Sequence, residues 1–290
     1  MHESLRLGRP LQGTPVREAR YLECKVILRA DRFMSAKNFF EYAKLVERVA
    51  AENDVAFSND GVEPRPKIRE VIFFDTAKHR LYNNSFILRR RVPYKDGFPV
   101  EKAEMVLKFR HPDAVRALET DVRPRKVAKY EVKFKAEVLP LRDRLGGYRM
   151  LYSHNAVFGA NQAPTGAKLT AVFPCLKPLL KAGGRPVKLV NHTIVEEVLQ
   201  DLGTFDFGSD MRSKYNVAIW RERGMHLPLI GEFAFQVKIR NGEDFYRKPL
   251  DRLMRIFVAL QQRGADWISL GTTKTGIVYK LRGNLSRANE

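Results

Sequence analysis

Residues 130–137 read Tyr-Glu-Val-Lys-Phe-Lys-Ala-Glu and alternate without a fault. Tyr130, Val132, Phe134 and Ala136 fall on one side of an extended chain, and Glu131, Lys133, Lys135 and Glu137 on the other. Side chains of a β-strand point to opposite faces with period two. The stretch is therefore a strand with one apolar face and one fully ionised face, and the rest of the chain has to accommodate both.

More strands of this kind are expected over 21–29, 69–74, 86–92, 104–110, 211–221, 232–240 and 277–281. A helix is expected over 35–54, with Ser35 as its cap and Phe39, Phe40, Ala43, Val46, Val49 and Ala50 as its apolar stripe. A second helix carries Leu250, Leu253, Met254, Phe257 and Leu260, with Pro249 in its first turn and Gly264 past its end. Between 141 and 166 the strand pattern fails, and Gly146, Gly147, Gly159 and Pro164 point to irregular chain. A short strand over 169–173, a short helix over 174–181 and an amphipathic segment over 194–202, stopped by Gly203, follow. This order is not the strict alternation of a parallel α/β sheet. It predicts a mainly antiparallel α+β fold: an arm over 1–20, then one domain over 21–285, interrupted at about 140–205.

The chain has 290 residues with 52 Lys and Arg against 33 Asp and Glu, a net charge of +19. Such an excess favours a polyanionic partner, and its placement narrows the choice. On the polar strand faces stand Lys25, Arg89, Arg91, Lys108, Arg110, Lys133, Lys135, Arg212, Lys214, Lys238 and Arg240, against Glu23, Glu104, Glu131, Glu137 and Glu232. Choosing Arg89 and Arg91 over Arg90 fixes the parity of that strand. Strand by strand, these residues could simply face water, as one side of an antiparallel sheet often does. Together, eight such strands can close into a barrel that holds side chains or one small ligand. Two like charges about 6 Å apart repel by roughly 3 kcal/mol at an effective dielectric near 20. Several such pairs rival a domain's whole stability of about 5–15 kcal/mol. Water or an anion with many oxygens has to offset them, and Arg and Lys suit phosphates.

Tyr21-Leu-Glu23-Cys-Lys25 and Phe74-Asp75-Thr76 followed by Leu88-Arg89-Arg90-Arg91 resemble motifs of the CYTH superfamily, the triphosphate tunnel metalloenzymes. The first resembles its N-terminal Glu-x-Glu-x-Lys signature. Phe74-Asp75-Thr76, then Leu81, then Leu88-Arg89-Arg90-Arg91 resembles its Tyr-Phe-Asp-Thr…Leu-Arg-x-Arg segment in words and spacing. Val106-Leu107-Lys108, Glu131-Val132-Lys133, Arg212-Ser213-Lys214 and Thr273-Lys274-Thr275-Gly276 with Tyr279 match its later basic and acidic strands.

The resemblance implies an eight-stranded antiparallel β-barrel, a triphosphate tunnel with helices packed outside. It implies a metal-dependent hydrolase of inorganic or organic triphosphates, or a class IV adenylate cyclase. Lys25, Arg89, Arg91, Lys108, Arg110, Lys133, Lys135, Arg212, Lys214, Lys238 and Lys274 would bind the substrate. Lys25 and Glu131 would be catalytic, and Glu23 and Glu131 would hold one Mg²⁺ or Mn²⁺. Two departures weigh against full activity: Tyr21 stands at the signature's first glutamate, and Phe233-Ala-Phe-Gln236-Val-Lys238 lacks the late Glu-x-Glu. A catalytically weak module that binds polyphosphate or another phosphoanion is therefore the alternative.

Other readings are poorer. Gly271-Thr-Thr-Lys274-Thr-Gly276 lacks the spacing of a phosphate loop and reads as the approach to the last strand. The six histidines show no zinc spacing. RNA binding would want exposed aromatic residues among the cations, and Tyr130 and Phe134 fall on the apolar face. Cys24 shares a face with Leu22, Val26 and Leu28 and reads as a small core residue; two cysteines make no disulfide framework. With neither a signal-peptide h-region nor an apolar run long enough to span a bilayer, the cytoplasm is expected.

Overall fold

A computed structural model describes residues 19–100, 102–160, 166–180, 186–239 and 247–283. The expected arm falls almost wholly outside them, as does Arg240. The strands are β1 (Tyr21–Leu28), β2 (Ala56–Ser58), β3 (Lys67–Asp75), β4 (Phe86–Lys95), β5 (Phe98–Pro99), β6 (Glu104–His111), β7 (Glu131–Pro140), β8 (Tyr148–Gly159), β9 (Lys188–Asp206), β10 (Arg212–Glu222) and β11 (Pro228–Lys238). The helices are α1 (Lys37–Glu52), α2 (Ala114–Glu119), α3 (Gly166–Val172), α4 (Lys177–Leu180), α5 (Arg247–Arg263) and α6 (Lys274–Lys280). No helix among the described residues is long and apolar enough to cross a membrane.

Nine strands close into a barrel in the order β10-β11-β1-β7-β8-β6-β4-β3-β9, and β9 returns to β10. The expectation of eight antiparallel strands is corrected in two ways. The count is nine, and β1 pairs with β7 in parallel, Glu23 opposite Glu137. The other barrel pairings are antiparallel.

Seven of the expected strands are present with small shifts at their ends. The eighth, over 277–281, is instead helix α6, started by Thr273, whose Oγ1 accepts the Gly276 N–H at 3.0 Å. Ile277, Val278 and Tyr279 favour strands in general, but here Val278 and Tyr279 are buried in a second apolar cluster with Phe73, Trp220 and Ile230. The two extra strands lie where the pattern failed. β8 occupies the stretch read as irregular, and the segment over 194–202 is part of β9. Gly203 does not stop the segment, since β9 runs through it to Asp206, and a Cβ there would run into the Tyr215 ring of the neighbouring strand. The short strand expected over 169–173 is α3. Ser35 does not cap α1; its N–H and Oγ both bond Asn38 Oδ1, at 3.0 and 3.1 Å.

The main core lies outside the barrel. Leu22, Cys24 and Val26 of β1 and Phe233 and Phe235 of β11 are buried with Tyr42 and Val46 of α1 and Leu253 and Phe257 of α5. Helices thus cover the apolar strand faces, and alternation sends the charged residues inward. Phe40, expected in the α1 stripe, faces solvent. Both cysteines are free, and Cys24 is buried.

Candidate functional site: a charged cavity inside the barrel

The barrel encloses a cavity of about 380 Å³. Strand alternation supplies most of its wall: Glu23 and Lys25 from β1, Arg89 and Arg91 from β4, Lys108 and Arg110 from β6, Glu131, Lys133 and Lys135 from β7. The parity chosen for β4 is correct, because Arg89 and Arg91 line the cavity and Arg90 does not. Lys274 reaches the same space from the first turn of α6 rather than from a strand. Every expected substrate-binding residue up to Lys135, and Lys274, is therefore brought together. Arg212, Lys214 and Lys238 are not. They carry the inward parity but are exposed and outside the lining, and Arg212 pairs with Asp206 at 2.8 Å.

Arg69, Glu197 and Trp220 are among the lining residues that were missed. Arg69 shares the β3 face that carries Val71 and Phe73. A mixed face of this kind gives only a weak signal. Glu197 sits in β9 at a position whose neighbours, Ile194, Val195, Val198 and Leu199, also fit a helical period, so nothing in the sequence pointed to it. Trp220 closes the wall beside it.

Two buried carboxylates organise the cations. Glu137, completely buried, accepts from Lys25 at 3.1 Å and from Lys108, and Arg110 Nη1 lies 3.7 Å away. Burial opposes its ionisation, yet Lys108, Lys25 and Arg110 outweigh that and hold it well below the ordinary carboxylate range. Glu197 accepts from Arg69, from Trp220 Nε1 at 2.7 Å and from Lys274 at 3.1 Å. It too is held far below its ordinary value, with Lys274 and Arg69 overcoming burial.

Glu23 makes a 2.8 Å pair with Lys25 and a 3.8 Å pair with Lys135. Burial works against its charge, but those lysines bring it down to about 2. Lys25 lies between Glu23 and Glu137; burial alone would lower it, and the two carboxylates raise it above an ordinary lysine. It is a fixed positive charge, unsuited to proton transfer near neutrality.

Among the described residues nine cations and five carboxylates line the cavity, and Glu137 lies beneath them, so positive charge is left over. The surplus concentrates on β4. Arg89 makes no ion pair among the described residues, and its Nε is buried without a partner. Burial, then Arg91 and Arg69, pull it down to about 9, which leaves it charged at neutral pH. Arg91 has one loose pair, 3.7 Å to Glu104, and its Nε is likewise unpartnered. Burial is the main cause of its own lowered value, with Arg69 second. Buried guanidinium nitrogens without acceptors are costly, and an anion in the cavity would satisfy them.

The metal pair expected from the sequence does not assemble. Glu23 is in register with Glu137, which places Glu131 roughly 20 Å farther along its strand. One ion cannot bridge Glu23 and Glu131. Among the described residues no three His, Cys, Asp or Glu side chains are grouped to hold a metal.

No family model matches the chain, and no curated protein matches it. Solved structures that resemble it include HpAC1 from Hippeastrum, a proposed adenylyl cyclase with a dominant triphosphatase activity, at a TM-score of 0.45 and 10% identity over 91% of this chain and 96% of that one. A proposed adenylate cyclase from Bacillus halodurans gives 0.37 and 12% identity over 88% and 95%. A protein from Pyrococcus horikoshii gives 0.37 and 10% identity over 90% and 99%. Likenesses of this size carry no weight for the chemistry of the site, which stands on its own geometry.

Proposed function

We propose that the cavity binds the triphosphate group of an inorganic or organic triphosphate. One observation carries this reading: Arg89 and Arg91 face an enclosed space with buried Nε groups that have no protein acceptor, while Glu137, Glu197 and Glu23 are each already paired. A linear triphosphate presents several charged oxygens along one axis, and guanidinium groups pair with them through two parallel N–H donors. Lys133 and Lys135 extend the basic wall beyond the arginines. Lys133 pairs with half-exposed Glu131 at 2.8 Å, so it can exchange that partner for phosphate at little cost.

Hydrolysis of the bound chain is the further step implied by the sequence resemblance. The cavity supports it by setting fixed cations around the phosphoryl oxygens, where charge develops in the transition state. Mg²⁺ or Mn²⁺ would come to Glu131 together with the phosphates, since Mg²⁺ sites of this type use one or two carboxylates plus phosphate and water. Calorimetric titration with tripolyphosphate, ATP and thiamine triphosphate tests binding, and phosphate release with and without Mn²⁺ tests turnover. Binding without turnover leaves a phosphoanion-binding module, and cyclic AMP with pyrophosphate from ATP identifies a cyclase. Failure of all three ligands to bind removes the reading.

A further inference from the structure

Lys274 occupies an unusual position for a phosphate-binding lysine. Its Nζ lies 3.1 Å from Glu197 Oε1 and 2.9 Å from Glu232 Oε1, and 4.8 Å from the centre of the Trp220 ring. The two carboxylates come from different strands, β9 and β11, and the ammonium arrives from a third element, the first turn of α6. Its side chain and that of Glu232 are each only 13% exposed. Two carboxylate oxygens converging on one point is the arrangement that recruits a divalent ion. Here the point is held by a cation that belongs to the chain.

The same pattern extends through the buried part of the cavity. Glu137 is matched by Lys25, Lys108 and Arg110, and Glu23 by Lys25 and Lys135. A metal binding at any of these carboxylates would displace a lysine or arginine and leave it buried among like charges, which is strongly unfavourable.

We propose that Lys274 is a built-in counter-cation standing between Glu197 and Glu232 where a divalent metal would otherwise bind, so that the cavity holds its polyphosphate without one. This rests on the reading of the cavity as a phosphate site and assigns Lys274 to the carboxylates, not to direct grip on the ligand. Glu131, near the other end of the wall, is left as the place where a metal would matter for turnover alone.

Two measurements on the full chain separate the possibilities. In the first, tripolyphosphate is titrated into wild-type protein in excess EDTA, then with Mn²⁺ present. Binding in EDTA that is within about threefold of the Mn²⁺ value is expected; binding that appears only with Mn²⁺ overturns the proposal.

The second uses Mn²⁺ alone, followed by electron paramagnetic resonance. Lys274→Met should take up one Mn²⁺ at least tenfold more tightly than wild type and gain thermal stability from it, and adding Glu232→Gln should abolish both gains. Equal Mn²⁺ uptake by wild type and Lys274→Met refutes the stand-in role. This arm needs no phosphate, so it decides the role of Lys274 even if tripolyphosphate fails to bind under every condition, an outcome that strikes the phosphate reading instead. If Lys274→Met does not fold, the EDTA titration of the wild type decides.

Discussion

Lys25 Nζ stands 3.1 Å from Glu137 Oε2 across the parallel pair of strands in the barrel, β1 and β7. Glu137 is completely buried, and three cations depend on it. The contact is the electrostatic keystone of the cavity: the lysines can face inward because this carboxylate lies below them.

Glu137→Gln should therefore be severe. It leaves Lys25, Lys108 and Arg110 without their shared anion, and removing one partner of a buried pair costs about 3–5 kcal/mol. Urea unfolding should show a loss of that order, partly restored by millimolar tripolyphosphate. A loss below about 0.5 kcal/mol would show that the cluster does not need Glu137.

Arg89→Ala and Arg91→Ala should separate binding from stability. Neither guanidinium Nε has a protein acceptor, so each alanine removes buried positive charge, and the one carboxylate that loses a partner is half-exposed Glu104, 3.7 Å from Arg91. Charged hydrogen bonds are worth about 1.5–3 kcal/mol, which predicts a tripolyphosphate Kd weaker by about 10- to 100-fold. The thermal midpoint should hold or rise. Unchanged affinity in both variants would take the arginines out of the site.

Arg212, Lys214 and Lys238 provide the contrast. They are exposed and outside the cavity wall, and screening makes such charges weak contributors. Neutralising Lys214 and Lys238 together should change tripolyphosphate affinity less than about threefold at 0.15 M salt. A loss matching that of Arg89→Ala would extend the site to the exposed end of the barrel.

Acid should unfold the protein through its buried glutamates. Glu23 falls from 4.5 to about 2 on folding, and Glu137 and Glu197 are lowered as well. A depressed carboxylate contributes stability that is full above its unfolded value and lost as pH drops through the folded one. Urea midpoints should be level from pH 6 down to about 5 and then fall toward pH 2. Glu23→Gln should flatten part of that fall. A profile that is level down to pH 3 would contradict the pairings.

Period-two alternation of charge and apolar residues was enough to place Glu23, Lys25, Arg89, Arg91, Lys108, Arg110, Lys133 and Lys135 on the polar strand faces, because a strand has only two sides, and closure of the barrel makes those faces the inner wall. The same local rule misled where an interior position is not charged or an exterior one not apolar. β8 turns Asn155 and Val157 inward, so it shows no charged alternation. β9 hides Glu197 in a run that fits a helical period, and Lys274 lies in a helix built from strand-favouring residues.

By itself, then, the sequence determined strands with one basic and one apolar face, since side-chain direction follows from backbone geometry one residue at a time. Only the tertiary structure decided which cations are matched and which remain for a ligand. Lys274 meets Glu197 and Glu232, and Lys25 meets Glu137, across gaps in the chain that no local pattern encodes. Ion pairs act over a few ångströms of space, and the separation of their partners along the sequence does not enter Coulomb's law.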